Sequence, residues 1–504
     1  MKIYSAAQTR AWDAFTIEKE PISSFELMNR AVRVLTDWFL QTYPSFTRPV
    51  WILCGTGNNG GDGLALARHL SWEDYDAKVL VCDFSGKHSE DFDRQMAVLP
   101  AHGQISVTTW HKPESLDLIP PDALVVDALF GSGLNRCLEA PWAQLVAQIN
   151  QLPNEIVAID LPSGLLADAH TPGEAVVRAT KTFSFERPKL AFIMPENAER
   201  VGQWSVGSIG LLPEYEATAT SPYGLMTPEK LRQFIHPRAK FSHKGTYGHA
   251  LIVAGSYGKM GAAVLASRAC LRAGAGLLSV HSPSSGYLVL QSAVPEAMFV
   301  PDKRARYWSA VPDVGQYSAI GVGPGIDKKP ETAIAFEGLL QAAKSPLVLD
   351  ADALNLLAEN TGFWAFVPKN TILTPHLKEF ERLFGKAADD FARLALLQQK
   401  AMEHKVVIVL KGAHTAIALP SGECWFNNSG NPGMATGGSG DVLTGIITGL
   451  LAQGYLAAEA AMLGVYLHGL AGDLAAEQLG EQALIAGDLV AFLPAAWKDL
   501  SKSG

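Results

Sequence analysis

The sequence predicts an α/β protein of two three-layer αβα domains in series, each a parallel sheet with helices on both faces. Three observations carry this expectation. The chain has 504 residues, more than a single hydrophobic core of roughly 250–300 residues accommodates. Short apolar runs that stop at glycine alternate with helix-forming segments. That rhythm lapses between Pro213 and Pro228, a stretch rich in proline, threonine and small residues, and then restarts. The expected division is therefore 1–212, a linker at 213–228, and 229–504.

Taken in order, Tyr4–Glu18 and Ser23–Leu40 suit amphipathic helices, the second with Phe25, Leu27, Met28, Ala31, Val32 and Leu35 at helical spacing. Val50–Cys54 reads as a strand that ends in glycines, and Leu64–Leu70 as the helix after it. Strands at Val79–Cys82, Ala123–Val126 and Ile156–Ile159 alternate with helices at Asp91–Leu99 and Pro141–Ile149. Beyond the linker, buried strands are expected at Ala250–Ala254, Leu277–His281, Ala319–Val322, Leu347–Leu349, Thr371–Leu373 and Val406–Leu410. A long helical stretch, Asp441–Leu479, completes the pattern.

Composition narrows the function. A net charge of −9 supplies no basic field for polyanions, so neither nucleic acid nor anionic membrane is expected as a partner. A small-molecule substrate fits better. Cys54, Cys82, Cys137, Cys270 and Cys424 form no C-x-x-C pair and read as free thiols of a reducing compartment. Met1–Ser5 lacks the apolar core of a signal peptide. The apolar stretch Leu443–Ala475 carries Gln453, Glu459, His468 and Asp473, which argues for core helices over a membrane span. A cytoplasmic location and a homo-oligomeric assembly are expected.

The first chemical constellation is Gly55-Thr56-Gly57-Asn58-Asn59-Gly60-Gly61-Asp62-Gly63, whose first six residues satisfy G-x-G-x-x-G between a strand and a helix. Glycine lets backbone approach a pyrophosphate, and the helix start favours an anion. With Asp83 at the end of the next strand, a hydride-transferring dinucleotide enzyme is one reading. A P-loop is excluded, since no Lys-Ser or Lys-Thr closes the run. Asn58, Asn59 and Asp62 suit either helix caps or oxygen ligands for a hard cation. Two further strand ends offer matching groups: Asp127 before Gly131-Ser132-Gly133, and Asp160 before Pro162-Ser163-Gly164. Ligands collect at the carboxyl ends of parallel strands, so the three segments are candidates for one crevice.

These runs resemble the signature of NAD(P)H-hydrate epimerases, and Gln8, Asp13, Leu27 and Met28 of the helical opening are similar too. The resemblance covers most of residues 1–210 and implies a Rossmann-like domain. It implies that Asn58, Asn59, Gly60, Gly61, Asp62, Gly131, Ser132, Gly133 and Asp160 bind the hydrated dinucleotide, and that Asn59, Asp127 and Ser163 hold a potassium ion. Asp160 is then the candidate acid/base beside the hydroxyl-bearing carbon of the reduced nicotinamide ring.

The second constellation is Gly437-Gly438-Ser439-Gly440-Asp441, a glycine turn feeding a helix, where amides suit a transferring phosphoryl group and Asp441 can accept a hydroxyl proton. Lys411-Gly412-Ala413-His414-Thr415 follows a strand and places a cation for phosphates. Gly255–Ala263, Gly274-Ala275-Gly276, Gly321-Val322-Gly323-Pro324-Gly325 and Thr374-Pro375-His376 add turns in a fixed order. Together they resemble ADP/ATP-dependent NAD(P)H-hydrate dehydratases over roughly residues 225–500. That resemblance implies a ribokinase-like fold, nucleotide binding by Lys411, Gly412, Ala413, His414, Thr415 and Gly440, and substrate binding by Gly323, His376 and Asp441. It also implies magnesium with ADP or ATP, and Asp441 as the base. Leu377 and Lys378 stand where relatives carry Pro and Gly, although Glu379 keeps its place.

The joint expectation is a bifunctional isomerase and lyase that epimerises R and S hydrates and dehydrates the S form, with NADHX and NADPHX as substrates. A small-molecule kinase with a dinucleotide-binding regulatory domain is the alternative, and a non-catalytic adaptor in the first half is a third reading.

Overall fold

A computed structural model describes residues 1–44, 47–99 and 105–502. The chain forms two compact units, one of Lys2–Ser221 with Asp389–Phe391, the other of Met1, Pro222–Ala388 and Ala392–Gly504.

The first unit is built on seven parallel strands: β1 (Val50–Cys54), β2 (Ala77–Cys82), β3 (Ser106–Trp110), β4 (Leu124–Ala128), β5 (Ile156–Ile159), β6 (Lys181–Phe185) and β7 (Gln203–Gly207). Their order is β3-β2-β1-β4-β5-β6-β7. The order reverses between β1 and β4, which opens a crevice at their carboxyl ends. Every residue of β1, β4 and β5 is buried, as a sheet covered on both faces requires. Helices Ser24–Thr42 and Asn58–Trp72 cover one face, packing Met28, Leu35, Leu64 and Leu66 against Ile52 and Val126. On the other face, Leu145, Val146 and Ile149 of helix Trp142–Ile149 meet Leu53 and Val125. Serine caps start the first two helices: Ser5 accepts from the Gln8 amide and Ser23 from the Glu26 amide, each closing a capping box.

The second unit carries β8 (Tyr223–Leu225), β9 (His249–Val253), β10 (Leu277–Ser282), β11 (Met298–Pro301), β12 (Ala319–Val322), β13 (Leu347–Leu349), β14 (Ile372–Leu373), β15 (Val407–Leu410), β16 (Ala416–Ala418) and β17 (Cys424–Phe426). Their order is β11-β10-β9-β12-β13-β14-β15-β16-β17-β8. The sheet is parallel from β11 through β15, and β16 pairs antiparallel with both of its neighbours. Helices Met260–Ala273, Ser439–Ala452, Ala457–Leu479 and Ala486–Leu500 bury Ala266, Ile446, Leu463 and Leu489 against Ile252 and Val348.

Several elements differ from expectation. The helix after β1 begins at Asn58, not Leu64, so Asn58–Gly63 form its first turns. Three glycines allow this by close packing: a side chain at Gly60 would fall on the Gly55 carbonyl, at Gly61 on Met28, and at Gly63 on Ala128 and Cys54. β4 runs on to Ala128, so Asp127 lies inside a strand rather than past its end. The stretch Asp441–Leu479 is two helices, Ser439–Ala452 and Ala457–Leu479, parted at Gly454 with its left-handed φ of 90°. Within Pro213–Pro228, expected to lack regular structure, Glu214–Thr218 is helical and β8 joins the second sheet.

Candidate functional site

In the first unit the loops and helix starts after β1, β4 and β5 carry the polar groups. Asp160 immediately follows β5 in a left-handed conformation, φ 64°. It is 8% exposed. Its Oδ2 accepts from the Ser132 amide at 3.0 Å, and its Oδ1 from the Ser184 hydroxyl at 3.2 Å. The Lys189 ammonium, itself only 2% exposed, stands 3.0 Å from Oδ1. Burial pushes this carboxyl up, but Lys189 and then the Ser132 amide prevail and hold it below the ordinary carboxylate value.

Asp127 is fully buried beside Ser163: its Oδ2 accepts from the Ser163 amide at 2.8 Å and its Oδ1 from the Ser163 hydroxyl at 2.6 Å. The Ser163 oxygen in turn accepts from the Phe130 amide at 2.8 Å, which fixes the turn leading to Gly131–Gly133. Burial pushes Asp127 up to about 6.

Asn59 is 8% exposed, and neither polar atom of its amide has a hydrogen-bond partner. A side chain at Gly131 would lie 3.3 Å from the Asn59 Oδ1 and 3.1 Å from the Asp160 Oδ2, so Asn59, Gly131 and Asp160 line one space. Asp62 adjoins them. Burial, then the charges of Asp160, Asp13 and Asp91, push its carboxyl well above the ordinary value. Asn58 and Gly133 are exposed, while Gly60 and Gly61 are buried under the helix start. Asp83 is engaged elsewhere, accepting from the Gly86 amide at 2.8 Å and pairing with His88.

In the second unit, Asp350 follows β13 and is almost wholly buried. The Lys411 ammonium donates to its Oδ1 at 2.9 Å, and the Thr444 hydroxyl to its Oδ2 at 2.7 Å. A side chain at Gly440 would sit 3.4 Å from the Lys411 Nζ and 3.7 Å from the Asp350 Oδ2. Lys411, Gly440 and Asp350 thus lie side by side. Asp441 lies in the first turn of helix Ser439–Ala452, and burial, reinforced by Asp350 and opposed by Lys411, pushes it up to about 6.

Gly438, at φ 94°, turns the chain into that helix. His468 steadies the turn from the next helix, its Nε2 lying 3.0 Å from the Ser439 carbonyl oxygen. Burial lowers His468 to about 4, so the ring is neutral and donates from Nε2.

His376 caps helix Leu377–Phe384: its Nδ1 accepts from the Lys378 and Glu379 amides, and Glu379 closes the box by accepting from the His376 amide at 2.8 Å. Leu377 and Lys378 are therefore compatible with a well-formed turn. The Glu379 carboxylate is 4.0 Å from Lys411. Gly412–Thr415 forms a tight turn, the Thr415 hydroxyl donating to the Gly412 carbonyl at 3.0 Å. Gly323, at φ 132°, lies against the Asp350 carbonyl, where no side chain fits. Gly255 donates from its amide to the Pro324 carbonyl at 2.8 Å, tying the turn after β9 to the turn after β12.

Sequence reasoning missed Lys189, Ser184, Asp350 and Thr444. Asp350 carries a usable signal, an acid directly after an apolar strand, as with Asp160. Lys189 carries none, since a lysine beside Leu190–Met194 reads as a surface residue.

Two α/β units, each with acids and glycine turns gathered at the carboxyl edge of a parallel sheet, define a two-domain nucleotide-handling enzyme. The family described as NAD(P)H-hydrate dehydratase matches residues 250–494, and that described as YjeF-related protein N-terminus matches residues 24–191. The bifunctional NAD(P)H-hydrate repair enzyme Nnr of Moorella thermoacetica is 36% identical over a 518-residue alignment covering 100% of this chain and 98% of that protein. The protein of the same name from Escherichia coli K12 is 34% identical, covering 94% and 89%. The chain belongs to the family of bifunctional NAD(P)H-hydrate repair enzymes.

Among solved structures, the ADP/ATP-dependent NAD(P)H-hydrate dehydratase of Bacillus subtilis, co-crystallised with ATP and Mg2+, is 36% identical, with a TM-score of 0.50 over 55% of this chain and 98% of that one. A ribokinase-like protein of Enterococcus faecalis is 28% identical, with a TM-score of 0.50 over 56% of this chain and 99% of that one.

Proposed function

We propose that the chain restores hydrated NADH and NADPH, its first unit interconverting the R and S hydrates and its second dehydrating the S form with ADP or ATP. The observation that carries this reading is Asp441 at a helix start beside the Lys411–Asp350 ion pair. Terminal phosphoryl and ring hydroxyl meet there beside an acid able to take a proton. Asp441 accepts the hydroxyl proton as the hydroxyl oxygen bonds to phosphorus and the nucleotide's bridging oxygen departs. The C–O bond then breaks with release of phosphate, and loss of a ring proton re-forms the double bond. Gly440 and Lys411–Thr415 hold the nucleotide phosphates, and Gly323 and His376 border the substrate. Asp350 and Glu379 offer the carboxylate oxygens that Mg2+ favours, and a bound Mg2+ would neutralise phosphate charge.

In the first unit, Asn58–Asp62 and the Gly131–Gly133 turn hold the dinucleotide. Asp160, kept ionised by Lys189, faces positive charge that develops at the hydroxyl-bearing carbon. The residues fit a potassium ion: Asn59 has a buried amide oxygen without a hydrogen-bond donor, and Asp127 and Ser163 add oxygens of the same hard type. When bound, potassium would supply positive charge against the substrate's phosphates. Among the described residues no helix is long and apolar enough to cross a membrane.

Incubating mixed R and S hydrates with ADP or ATP tests the reading. Full recovery of NADH absorbance is expected, and Asp160→Ala should halt at a plateau once the S form is consumed. A stable phosphorylated product without recovered absorbance refutes the dehydratase reading. An epimerase rate unchanged when potassium is replaced by tetramethylammonium refutes the cation.

A further inference from the structure

One group of charges at the carboxyl edge of the second sheet takes no part in the chemistry above. The loop after β11 reads Asp302-Lys303-Arg304-Ala305-Arg306-Tyr307. Lys303, Arg304 and Arg306 are exposed, and none of the three has a carboxylate partner among the described residues. In a chain of net charge −9, three such cations within four residues set up a local positive field against the overall one.

The loop is held in one shape from beneath by Asp302, which is 4% exposed. Its Oδ1 accepts from the Arg304 amide and the Ser309 hydroxyl, each at 2.7 Å, and its Oδ2 from the Ser309 and Ala310 amides at 2.9 and 3.0 Å. The Nε2 of His281, in β10, stands 3.3 Å from that Oδ2. These contacts fix the backbone and leave the cationic side chains to solvent.

The loop is also tied to the turns after β9 and β10. The Tyr257 amide donates to the Arg306 carbonyl at 2.8 Å, and the Ser284 amide to the Arg304 carbonyl at 3.0 Å. The Arg306 guanidinium lies 4.3 Å from the centre of the Tyr257 ring. Two residues on, Lys259 pairs with Asp352 at 3.7 Å, and its Cβ is 3.1 Å from where a side chain at Gly325 would begin. The same turn meets the Gly323 turn through the Gly255 amide and the Pro324 carbonyl. The strand order places β9, β10 and β11 on one side of β12, and β13, β14 and β15 on the other. The three cations therefore border one end of the edge, and Lys411 the opposite end.

Two polyanions have to share that edge. On the reading that the second unit dehydrates the hydrate with ADP or ATP, the nucleotide phosphates take Lys411 and the turn after β15. The dinucleotide, with its ring hydroxyl at Asp441, then needs separate cations for its own pyrophosphate. We propose that Lys303, Arg304 and Arg306 hold the pyrophosphate-bearing adenylate half of the substrate and so set the preference for a whole dinucleotide over a mononucleotide. Guanidinium groups match phosphate oxygens in a planar fork, and a loop already fixed by Asp302 loses little freedom when it binds.

Steady-state dehydration of the S hydrate of NADH by the full chain, with ADP saturating, tests the proposal. The variant combines Arg304→Ala with Arg306→Ala, two exposed side chains outside the Asp302 network. Loss of two partly screened, charge-assisted contacts should raise KM for the hydrate about tenfold, with kcat and the KM for ADP unchanged. The S hydrate of reduced nicotinamide mononucleotide, which lacks the pyrophosphate and the adenylate, should give one KM with both enzymes. Arg304→Lys with Arg306→Lys should recover part of the loss, and added salt should narrow the gap between wild type and the alanine variant. Wild-type turnover with an unchanged KM in the alanine variant overturns the role of the loop and leaves the dehydratase reading standing. A wild type that never restores NADH absorbance refutes that reading and the proposal together. An equal rise in KM for the mononucleotide hydrate, or a lower kcat at unchanged KM, assigns the effect to a displaced loop and overturns the proposal.

Discussion

Replacing Lys189 by Met removes a cation from a place where water cannot substitute for it. Met keeps much of the apolar stem, so the change falls mainly on charge. The ammonium is buried 3.0 Å from the Asp160 Oδ1, and the carboxylate is nearly as buried. Breaking one side of such a pair costs about 3–5 kcal/mol. Asp160 limits the loss by taking a proton, because burial already pushes it upward and Lys189 is the chief opposing influence.

The pH dependence follows. In the wild type the folded carboxyl titrates below its unfolded value, so the pair's contribution is present above roughly pH 4 and is lost as pH falls through the folded value. In Lys189→Met the folded value rises above the unfolded one, so the variant loses stability as pH climbs between the two, by up to about 1.4 kcal/mol per pH unit. The deficit is therefore larger at pH 8 than at pH 5. Urea denaturation of the full chain at both pH values measures it, with amide exchange in β5 and β6 as the local readout. A deficit independent of pH would refute the charge argument and assign the loss to packing.

Asp441→Asn should slow dehydration about 10^2–10^4-fold while epimerisation is unchanged, as followed by recovered NADH absorbance. In the wild type, with Asp441 raised to about 6, its proton-accepting form fills as pH rises through that value. The dehydratase rate should climb there and level off above, and a flat profile from pH 5 to 8 excludes Asp441 as the base. Gly131→Ala places a methyl 3.1 Å from the Asp160 Oδ2 and 3.3 Å from the Asn59 Oδ1. A raised KM for epimerisation with an unaltered thermal midpoint is expected, and a normal KM would show that this space is not the substrate's. Gly445→Ala drives a methyl into the Ala266 carbonyl where helices Ser439–Ala452 and Met260–Ala273 touch. Overpacking there should cost about 1–3 kcal/mol, read as a lower thermal midpoint for the second unit.

What was legible in the sequence follows burial on both faces. Val50–Cys54 and Ile156–Ile159 are unbroken apolar runs because helices cover both sides, and both were expected as strands. β3, Ser-Val-Thr-Thr-Trp, is an edge strand with four of its five residues exposed, so its sequence lacks that signal. β6, Lys-Thr-Phe-Ser-Phe, alternates instead, and β16 and β17 have three residues each, too few for any period to register.

The polar cluster Asn58–Asp62 was legible as a cluster but not as a helix. Glycine disfavours helix by about 1 kcal/mol per residue, and the close approaches of Gly60 to the Gly55 carbonyl, Gly61 to Met28 and Gly63 to Ala128 explain why it is tolerated there. A tertiary contact of that kind leaves no local trace. The partnership of Asp160 with Lys189 is hidden for the same reason: they stand 29 positions apart in the chain, and the pairing depends on the path of the backbone beyond β6.

The parallel cores of the two sheets share a strand order, reversing between β1 and β4 in one and between β9 and β12 in the other, yet they tune their acids in opposite directions. Asp160 has a buried ammonium beside it and remains ionised across the working pH range, which suits steady stabilisation of positive charge. Asp441 is raised to about 6 by burial first and then by the neighbouring carboxylate of Asp350, with Lys411 opposing. An acid with that affinity can take a proton from a hydroxyl and release it again at neutral pH, as turnover demands. Exchanging the environments should therefore exchange the defects. Lys189→Met makes Asp160 a proton carrier where a fixed charge is needed, whereas Asp350→Asn lowers Asp441 and weakens it as a base. The latter variant should shift the rising limb of the dehydratase pH profile to lower pH, and an unmoved limb would mean that Asp350 does not set the proton affinity of Asp441.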